Sequence, residues 1–200
     1  MGYKDTRIIN FLKKMGGLAD YAEIIDAGFS KAMLRTALNS GRIQKIDRGL
    51  YGLSDGSLAS NPDIMAASIK VPKGVVCLLS ALAFHEATSE IPRYVNIAIP
   101  RGTHANKIKY PPVRYYRFAP NVWKSGLEEH KIEGRRIRIY SLARTIADCF
   151  KFRNKIGMDV ARDALKVAIT EKGIKPKEIM RYAGICRVEN IIKPILEAML

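Results

Sequence analysis

Residues 20–53 read DYAEIIDAGFSKAMLRTALNSGRIQKIDRGLYGL and carry the signals of two short helices joined by a tight turn. Asp20 is placed to cap a first helix, because its side chain can accept a hydrogen bond from a free backbone N–H of the first turn. Gly28 can end that helix, since glycine tolerates the positive φ that this stop requires. Ser30 is placed to cap a second helix. The spacing therefore predicts a helix-turn-helix.

A wing follows the second helix along the chain. Leu34, Ala37 and Leu38 have the i, i+3, i+4 spacing of one buried helix face. Gly41 ends this helix, and residues 43–53 predict a short two-stranded hairpin. A helix, a turn, a second helix and a hairpin in this order predict a winged helix-turn-helix, in which the second helix is the recognition helix.

Cationic and polar side chains occupy the opposite face of the recognition helix and the hairpin. Side chains near the N-terminus of such a helix reach base edges in the major groove, so we expect Lys31, Arg35 and Thr36 to read bases. Contacts to phosphates fix the register, and we assign Lys45 and Arg48 to this role. A solvated basic helix face is the alternative, which the turn glycine, the cap and the wing make less favoured. The predicted DNA-binding residues are Ser30, Lys31, Arg35, Thr36, Asn39, Arg42, Lys45 and Arg48.

The overall charge of the chain supports this prediction. Its 200 residues include 34 Lys and Arg against 19 Asp and Glu, a formal net charge of +15. Such an excess favours a polyanionic partner, either nucleic acid or an anionic membrane surface. No apolar run approaches the roughly 20 residues of a membrane span, and the N-terminus lacks the apolar stretch of a secretory signal. We expect a cytoplasmic protein without a membrane partner.

The remaining pattern predicts an α+β fold with two domains. Residues 1–56 form an N-terminal winged helix-turn-helix domain, with a first helix over residues 3–15 that packs behind the recognition helix. Small and polar residues after the wing are typical of a linker and place the boundary near residue 56. Residues 57–200 form a mixed α/β C-terminal domain, in which a small sheet is flanked by helices. The nearly continuous apolar residues 75–87 predict a buried helix in that domain.

A second basic segment lies in the C-terminal domain. Residues 107–117 read KIKYPPVRYYR and interleave Lys and Arg with Tyr, as the platforms that bind single-stranded nucleic acid do. The alternative, which we favour, is a strand with one aromatic face in the core and one basic face in water. A neighbouring hairpin could extend the basic surface. The candidate residues of this second basic surface are Lys107, Lys109, Arg114, Arg117, Arg135, Arg136 and Arg138.

Clustered acidic residues raise the alternative of a metal-dependent nuclease with a DNA-binding head. Glu128 and Glu129 adjoin at the start of a predicted strand, so their side chains point to opposite faces. Asp148 is the sharper candidate because it lies in a mostly apolar helix. The favoured interpretation is an acid paired with Arg144 or Lys151 at helical spacing. The spacing of the acids therefore gives the nuclease hypothesis little support.

The three cysteines and three histidines have no metal-ligand spacing. Cys77, Cys149 and Cys186 lie far apart among apolar neighbours, which predicts buried free thiols in a reducing compartment. His85 follows an apolar run and is predicted at a helix end with its ring hydrogen-bonded. No Ser, His and Asp arrangement and no phosphate-cradling glycine loop is present. We therefore predict no catalytic residue, no metal and no cofactor.

Several segments, in order along the chain, resemble the AbiEi-type antitoxins of bacterial and archaeal toxin-antitoxin systems, which are also transcriptional regulators. These segments are RGLY at 48–51, VCLLSALAFHEAT at 76–88, IAIPRG at 97–102, RIYSLARTIADCFKFRNKIG at 138–157 and YAGICRV at 182–188. The likeness runs from about residue 6 to the end of the chain, and the ordered series is more specific than any one segment.

The resemblance implies a non-enzymatic antitoxin and autorepressor of a type IV system. The winged helix-turn-helix is expected to bind inverted repeats of double-stranded DNA at its own promoter and to repress the operon. The C-terminal domain is expected to neutralise a partner toxin of the nucleotidyltransferase class. The family is commonly described as acting without a stable complex between antitoxin and toxin. A third hypothesis is an adaptor whose second domain only sets the spacing of two DNA-binding heads.

Overall fold

A computed structural model describes residues 3–56, 60–105 and 107–199. These residues form two compact units that both combine helices and strands, so the predicted α+β class is confirmed. The first, which we call the head unit, contains the described residues up to 72 together with 107–112 and 130–137. The second unit contains the described residues of 73–105, 113–129 and 138–199.

The head unit is larger than the predicted N-terminal domain. It continues past residue 56 through a helix that ends at Lys70 and includes two later segments of the chain. Residues 57–59, in the middle of the predicted linker, lie outside the described residues. The domain boundary near residue 56 therefore stays a prediction.

The head unit has the layout of a winged helix-turn-helix. Its helices are α1 (Tyr3–Lys14), α2 (Tyr21–Asp26), α3 (Lys31–Asn39) and α4 (Pro62–Lys70). Its strands are β1 (Leu18–Asp20), β2 (Ile43–Asp47) and β3 (Leu50–Leu53), which form an antiparallel sheet in the order β1-β3-β2. Strands β2 and β3 are the predicted wing, whereas the short strand β1 was not predicted from the sequence.

Local hydrogen bonds explain where α2 and α3 begin. Asp20 Oδ1 accepts from the backbone N–H of Glu23, and Glu23 Oε2 accepts from the backbone N–H of Asp20, both at 2.8 Å. This reciprocal capping box satisfies two donors that would otherwise lack partners. Ser30 Oγ accepts from the backbone N–H of Met33 at 3.2 Å. Both predicted caps are confirmed.

The core of the head unit lies between α1 and α3. Ile8 and Leu12 of α1 are fully buried, and Leu34 and Ala37 of α3 are at most 3% exposed. Burying each large aliphatic side chain contributes about 1.5–3 kcal/mol. Helix α1 therefore supports α3 from behind, as predicted.

The second unit is built on a mixed sheet. Among the described residues, this sheet contains β4 (Val75–Val76), β5 (Val95–Pro100), β6 (Val113–Phe118), β7 (Leu127–Ile132) and β8 (Arg135–Tyr140), in the order β6-β5-β4-β8-β7. Strand β5 is parallel to β6 and antiparallel to β4, and β4 is parallel to β8. The residues of β7 and β8 closest to their connecting turn belong to the head unit.

Helices supply the rest of the second unit. They are α5 (Leu78–Phe84), α6 (Pro120–Lys124), α7 (Leu142–Lys151), α8 (Arg153–Ile156), α9 (Met158–Thr170), α10 (Pro176–Cys186) and α11 (Glu189–Glu197). Helix α7 is the central one, since residues 142–150 are all buried and it packs against α5, α9 and α10. None of the helices formed by the described residues is long and apolar enough to cross a membrane.

The prediction of one buried helix over residues 75–87 is wrong at its start. Val75 and Val76 form strand β4, which pairs with Ala98 and Ile97 on one side and with Ile139 on the other. Helix α5 begins only at Leu78. A continuous apolar run fits a buried strand as well as a buried helix, and the pairing on both sides decides between them.

The predictions for the thiols and for His85 are confirmed. All three cysteines are buried and unbridged. His85 lies at the C-terminal cap of α5, and its Nε2 is hydrogen-bonded to the carbonyl oxygen of Tyr140 at 2.8 Å. Burial raises the pKa of the Cys186 thiol to about 12, and this thiol donates to Asp148 Oδ1 at 3.2 Å. The thiols are therefore protonated core residues.

A fully buried ion pair lies inside α7. Arg144 Nε donates to Asp148 Oδ2 at 3.0 Å, and both side chains are 0% exposed. Arg144 Nη1 also donates to the carbonyl oxygens of Val122 and Ser125, whereas Nη2 has no partner among the described residues. The guanidinium thereby connects α7 to the backbone around α6.

Removal of one partner of this buried pair should lower the free energy of unfolding much more than removal of one partner of a surface pair. We expect Arg144→Met to lower the free energy of unfolding by about 3–5 kcal/mol, because it leaves a buried carboxylate without its cation. Arg144→Met combined with Asp148→Leu should recover most of that loss, since no charge then remains buried. Urea unfolding measures both changes.

The exposed pair of Lys193 and Glu197, with 3.9 Å between its charged atoms, provides the matched control. Lys193→Met should cost at most about 0.5 kcal/mol. Equal losses for Arg144→Met and Lys193→Met would contradict the role of the buried pair.

Candidate nucleic-acid interface

The turn between α2 and α3 holds the two helices at a fixed angle. Gly28 adopts a φ of +86°, and its backbone N–H donates to the carbonyl oxygen of Ile25 at 2.8 Å. Phe29 is 7% exposed and packs against Phe11, with 5.4 Å between the ring centroids. Because the turn is anchored in the core, the start of α3 has little freedom to move.

The predicted recognition face of α3 is open to solvent. Lys31, Arg35, Thr36 and Asn39 are exposed, whereas Leu34 and Ala37 on the other side are buried. This division matches the amphipathic pattern of the sequence. The side chains assigned to base reading are therefore available to a ligand.

Two hydroxyls of the recognition helix already have partners in the helix. Ser30 Oγ accepts from Met33, and Thr36 Oγ1 donates to the carbonyl oxygen of Ala32 at 3.0 Å. A hydroxyl carries one donor and two acceptor sites, so Ser30 can still donate and Thr36 can still accept. Lys31 and Arg35 remain the side chains with the longest reach.

Contacts from α2 and α4 hold the turn of the wing. The backbone N–H of Tyr21, at the start of α2, donates to the carbonyl oxygen of Gly49 in the wing turn at 2.9 Å. Lys70 Nζ forms an ion pair of 3.3 Å with Asp47 and donates to the carbonyl oxygen of Arg48. Burial acts to raise the pKa of Asp47, but hydrogen bonds from the Arg48 backbone and from Lys70 outweigh burial and lower it.

Helix α3 and the wing present cations without acidic partners. The wing cations Arg42, Lys45 and Arg48 are exposed, as are Lys31 and Arg35 of α3. In the described ranges, no carboxylate lies within 4.0 Å of the charged group of any of these five. Their charge is therefore available to a polyanion.

A groove beside α3 contains two tyrosines that sequence reasoning missed. Its volume is about 630 Å³, and Tyr21 is 40% exposed there. Tyr21 is the first residue of α2, directly after its cap Asp20. That position in the sequence could have indicated that Tyr21 lies beside the recognition helix. The residues that line the groove are Tyr21, Lys31, Ala32, Leu34, Arg35, Leu38 and Tyr51.

Arg135 does not belong to a second basic surface. It is 9% exposed, and its guanidinium forms a bidentate ion pair with both carboxylate oxygens of Glu23. The same guanidinium donates to the carbonyl oxygens of Leu18 at 2.6 Å and of Met15 at 3.3 Å. Its assignment as a polyanion contact was wrong, because these acceptors already occupy its donors.

The other members of the predicted second surface are divided between the two units. Lys107, Lys109 and Arg136 belong to the head unit and are exposed. Arg114 and Arg117 are exposed on the second unit, where Arg138 forms an ion pair of 3.6 Å with Glu129.

The aromatic residues of the KIKYPPVRYYR segment are divided between strand β6 and the head unit. Tyr116 is 5% exposed and Phe118, just beyond the segment, is 3% exposed, so the predicted aromatic core face is confirmed. Tyr110 belongs to the head unit, where its hydroxyl donates to Asp63 Oδ1 at 2.6 Å. Burial and this contact raise the pKa of Tyr110 to about 12.

Asp148, the sharpest candidate of the nuclease hypothesis, is sealed in the core. Both of its carboxylate oxygens accept hydrogen bonds from core residues, from Cys186 and from Arg144. In the part of the chain that the structure describes, no three His, Cys, Asp or Glu side chains are grouped so that they could hold a metal ion. Asp148 therefore cannot reach a substrate in this fold.

The head unit has the layout of a winged helix-turn-helix, and the side of α3 that faces solvent is cationic. Residues 7–54, from α1 to the end of the wing, match the family of AbiEi antitoxin transcriptional regulators. The resemblance drawn from the sequence is thereby confirmed for this part of the chain. Comparison with curated proteins finds no match.

Arg135→Gln should destabilise the head unit. The substitution removes the cation that faces Glu23 and leaves two backbone carbonyls without their donor, so the free energy of unfolding should fall by about 1.5–3 kcal/mol. Urea unfolding measures the loss, and amide hydrogen exchange should show lower protection at β1 and at the start of α2.

The control is Lys131→Gln, which neutralises an exposed cation on the same hairpin. It should leave both measurements unchanged. If the two variants are equally stable, the structural role of Arg135 is refuted.

Proposed function

We propose that this chain is a sequence-specific DNA-binding autorepressor and the antitoxin of a toxin-antitoxin operon. The exposed cations of α3 and the wing, on a head that matches a family of antitoxin regulators, are the observation that carries the proposal. The formal net charge of +15 favours association with a polyanion. The proposed partner is double-stranded DNA at the protein's own operator.

Within this proposal, the head unit binds DNA with two sets of side chains. Lys31 and Arg35 lie in the first turns of α3, from which a recognition helix reaches base edges in the major groove. Arg42, Lys45 and Arg48 contact phosphates from the wing and from its entry, because exposed cations there can follow the DNA backbone. Ser30, Thr36 and Asn39 supply further polar contacts along α3.

An operator of inverted repeats would take two copies of the chain. Each copy would read one half-site with its own recognition helix, because the symmetry of such an operator matches that of a two-fold protein pair. Occupancy of this site in the promoter would repress transcription of the operon.

The antitoxin half of the proposal assigns a second role to the chain. Its functional partner would be a toxin of the nucleotidyltransferase class. The chain would neutralise this toxin in the cytoplasm, without a catalytic residue, metal or cofactor of its own. The C-terminal region from residue 57 would carry this activity, and the exposed residues of the predicted second basic surface are candidates for it. Co-expression of the chain with the neighbouring gene tests this half, and unrelieved toxicity would refute it.

A salt-titrated binding assay tests the repressor half. The DNA upstream of the protein's own gene should bind more tightly than shuffled DNA of the same length. Log affinity should fall linearly with log salt concentration, as counterion release requires. Equal weak binding to both DNAs would overturn the proposal of a sequence-specific repressor.

Arg35→Ala and Lys45→Ala should have different effects. Arg35→Ala should weaken operator binding by about 1–3 kcal/mol with much less effect on shuffled DNA, because it removes a contact to bases. Lys45→Ala should weaken binding to both DNAs and reduce the salt slope by about one unit, because it removes a phosphate contact. Equal losses on both DNAs for Arg35→Ala would rule out its role in readout.

A further inference from the structure

One side of strand β6, in the second unit, carries a cluster of aromatic rings. Tyr116 and Phe118 point to the same side of the strand, and both contact Phe152 just after α7. The ring centroids lie 5.1 Å and 5.7 Å from that of Phe152. We call these three residues the β6 ring cluster. Tyr116 and Phe118 are buried and the half-buried Phe152 packs against the core, so the cluster belongs to the core of the second unit.

Three cations are held over aromatic rings at this place. Lys155 Nζ lies 6.0 Å and 5.8 Å from the centroids of two rings of the cluster, and Lys151 Nζ lies 5.9 Å from the third. Arg114, on the same side of β6, has its Cζ 4.4 Å from the centroid of Tyr94. A cation over a ring face is attracted by the negative potential of that face. The rings therefore restrict the positions of the three charged groups.

None of these three cations forms an ion pair with a carboxylate of the described residues. Arg114, Lys151 and Lys155 are all exposed. Across residues 3–56, 60–105 and 107–199, no carboxylate lies within 4.0 Å of their charged groups. The three cations thus form a local excess of positive charge, which we call the β6 cationic surface.

The geometry favours phosphates over bases as the ligand. Proteins that bind single-stranded nucleic acid stack bases on open aromatic faces. Here the rings of Tyr116 and Phe118 are buried, and the guanidinium of Arg114 lies over the exposed Tyr94. Pre-positioned cations without an open ring can bind the backbone of a duplex, whose phosphates are presented at regular spacing.

We propose that Arg114, Lys151 and Lys155 bind the phosphate backbone of duplex DNA from the second unit, in addition to the contacts of the head unit. The proposal rests on the proposed DNA-binding function of the chain. Arg117 is not included, because it points to the other side of β6. This surface contributes affinity without sequence preference.

The test compares two triple variants of the full chain. The first, Arg114→Gln/Lys151→Gln/Lys155→Gln, neutralises the β6 cationic surface. The control, Arg162→Gln/Lys166→Gln/Lys177→Gln, removes the same charge from exposed positions of α9 and α10 that lie over no aromatic ring among the described residues. Each variant is titrated with salt on operator duplex, on shuffled duplex, and on single-stranded DNA and RNA of the same length, after thermal unfolding has shown that it folds.

The first variant should lower the salt slope by about two to three units on both DNAs, because each lost phosphate contact contributes about 0.9. The ratio of operator to shuffled affinity should not change, and the control should keep the slope of the unchanged chain. If the first variant does not fold, Lys155→Gln alone should lower the slope by about 0.9. Lys155→Arg, which keeps the charge, should restore it.

Three results would overturn this inference. The first is equal slopes for the two triple variants, or for Lys155→Gln and the unchanged chain. The second is a change in operator selectivity caused by the β6 variant. The third is a loss of affinity confined to single-stranded DNA or RNA, which would mean that the surface binds a single strand. If the unchanged chain lacks operator selectivity but the slope still falls with the β6 variant, the proposed repressor function fails and the phosphate surface stands.

Discussion

The carboxylate of Glu23 is the acceptor on which the geometry of the head unit depends. It accepts a hydrogen bond from the backbone N–H of Asp20 in the capping box. It also accepts hydrogen bonds from Nη1 and Nη2 of Arg135. Arg135 also binds the carbonyl oxygen of Leu18 in β1. One carboxylate therefore determines where α2 begins and holds it next to β1. Because β1 pairs with β3, the same interaction extends to the wing.

The proposed reading of DNA by the exposed cations depends on fixed backbone positions. The turn after α2 is anchored by Phe29 in the core, and the start of α2 is hydrogen-bonded to the wing turn at Gly49. Lys31 and Arg35 therefore project from a helix that follows an anchored turn, in a motif that is also hydrogen-bonded to the wing. Preorganisation of this kind lowers the entropy that ordering on a ligand would otherwise cost.

Four arginines show how the same side chain takes different roles in this chain. Arg35 is exposed on the recognition helix, Arg114 lies over an aromatic ring, Arg135 is bound to Glu23, and Arg144 is buried with an acid. The difference comes from what surrounds each guanidinium. Exposed arginines can donate to a ligand, whereas buried ones have donated to backbone carbonyls and carboxylates within the fold. A high net charge therefore overstates the charge that is available for binding.

The sequence by itself determined the local structure of the head. Its caps, turn glycine and amphipathic spacing depend on contacts within about four residues, and such contacts can be recognised along a single chain. Asp20, Gly28 and Ser30 accordingly lie where the pattern predicted. Arg144 is one of the two partners predicted for Asp148 at helical spacing, the other being Lys151. The resemblance to AbiEi antitoxins was likewise visible in the sequence, and the match over residues 7–54 confirms it for that part of the chain.

Only the tertiary structure decided the contacts and the secondary structure of residues whose partners are distant in sequence. Arg135 lies more than 100 residues from Glu23, and no local pattern connects them. The strand formed by Val75 and Val76 depends on pairing with two other segments of the chain. Without knowledge of that pairing, these apolar residues fit a buried helix equally well. Lys151 and Lys155 lie on either side of Phe152, whose long-range contacts with Tyr116 and Phe118 bring these two cations to the β6 rings. Burial and long-range pairing follow from how the elements pack, which is why the sequence could indicate the charges but not which of them remain available.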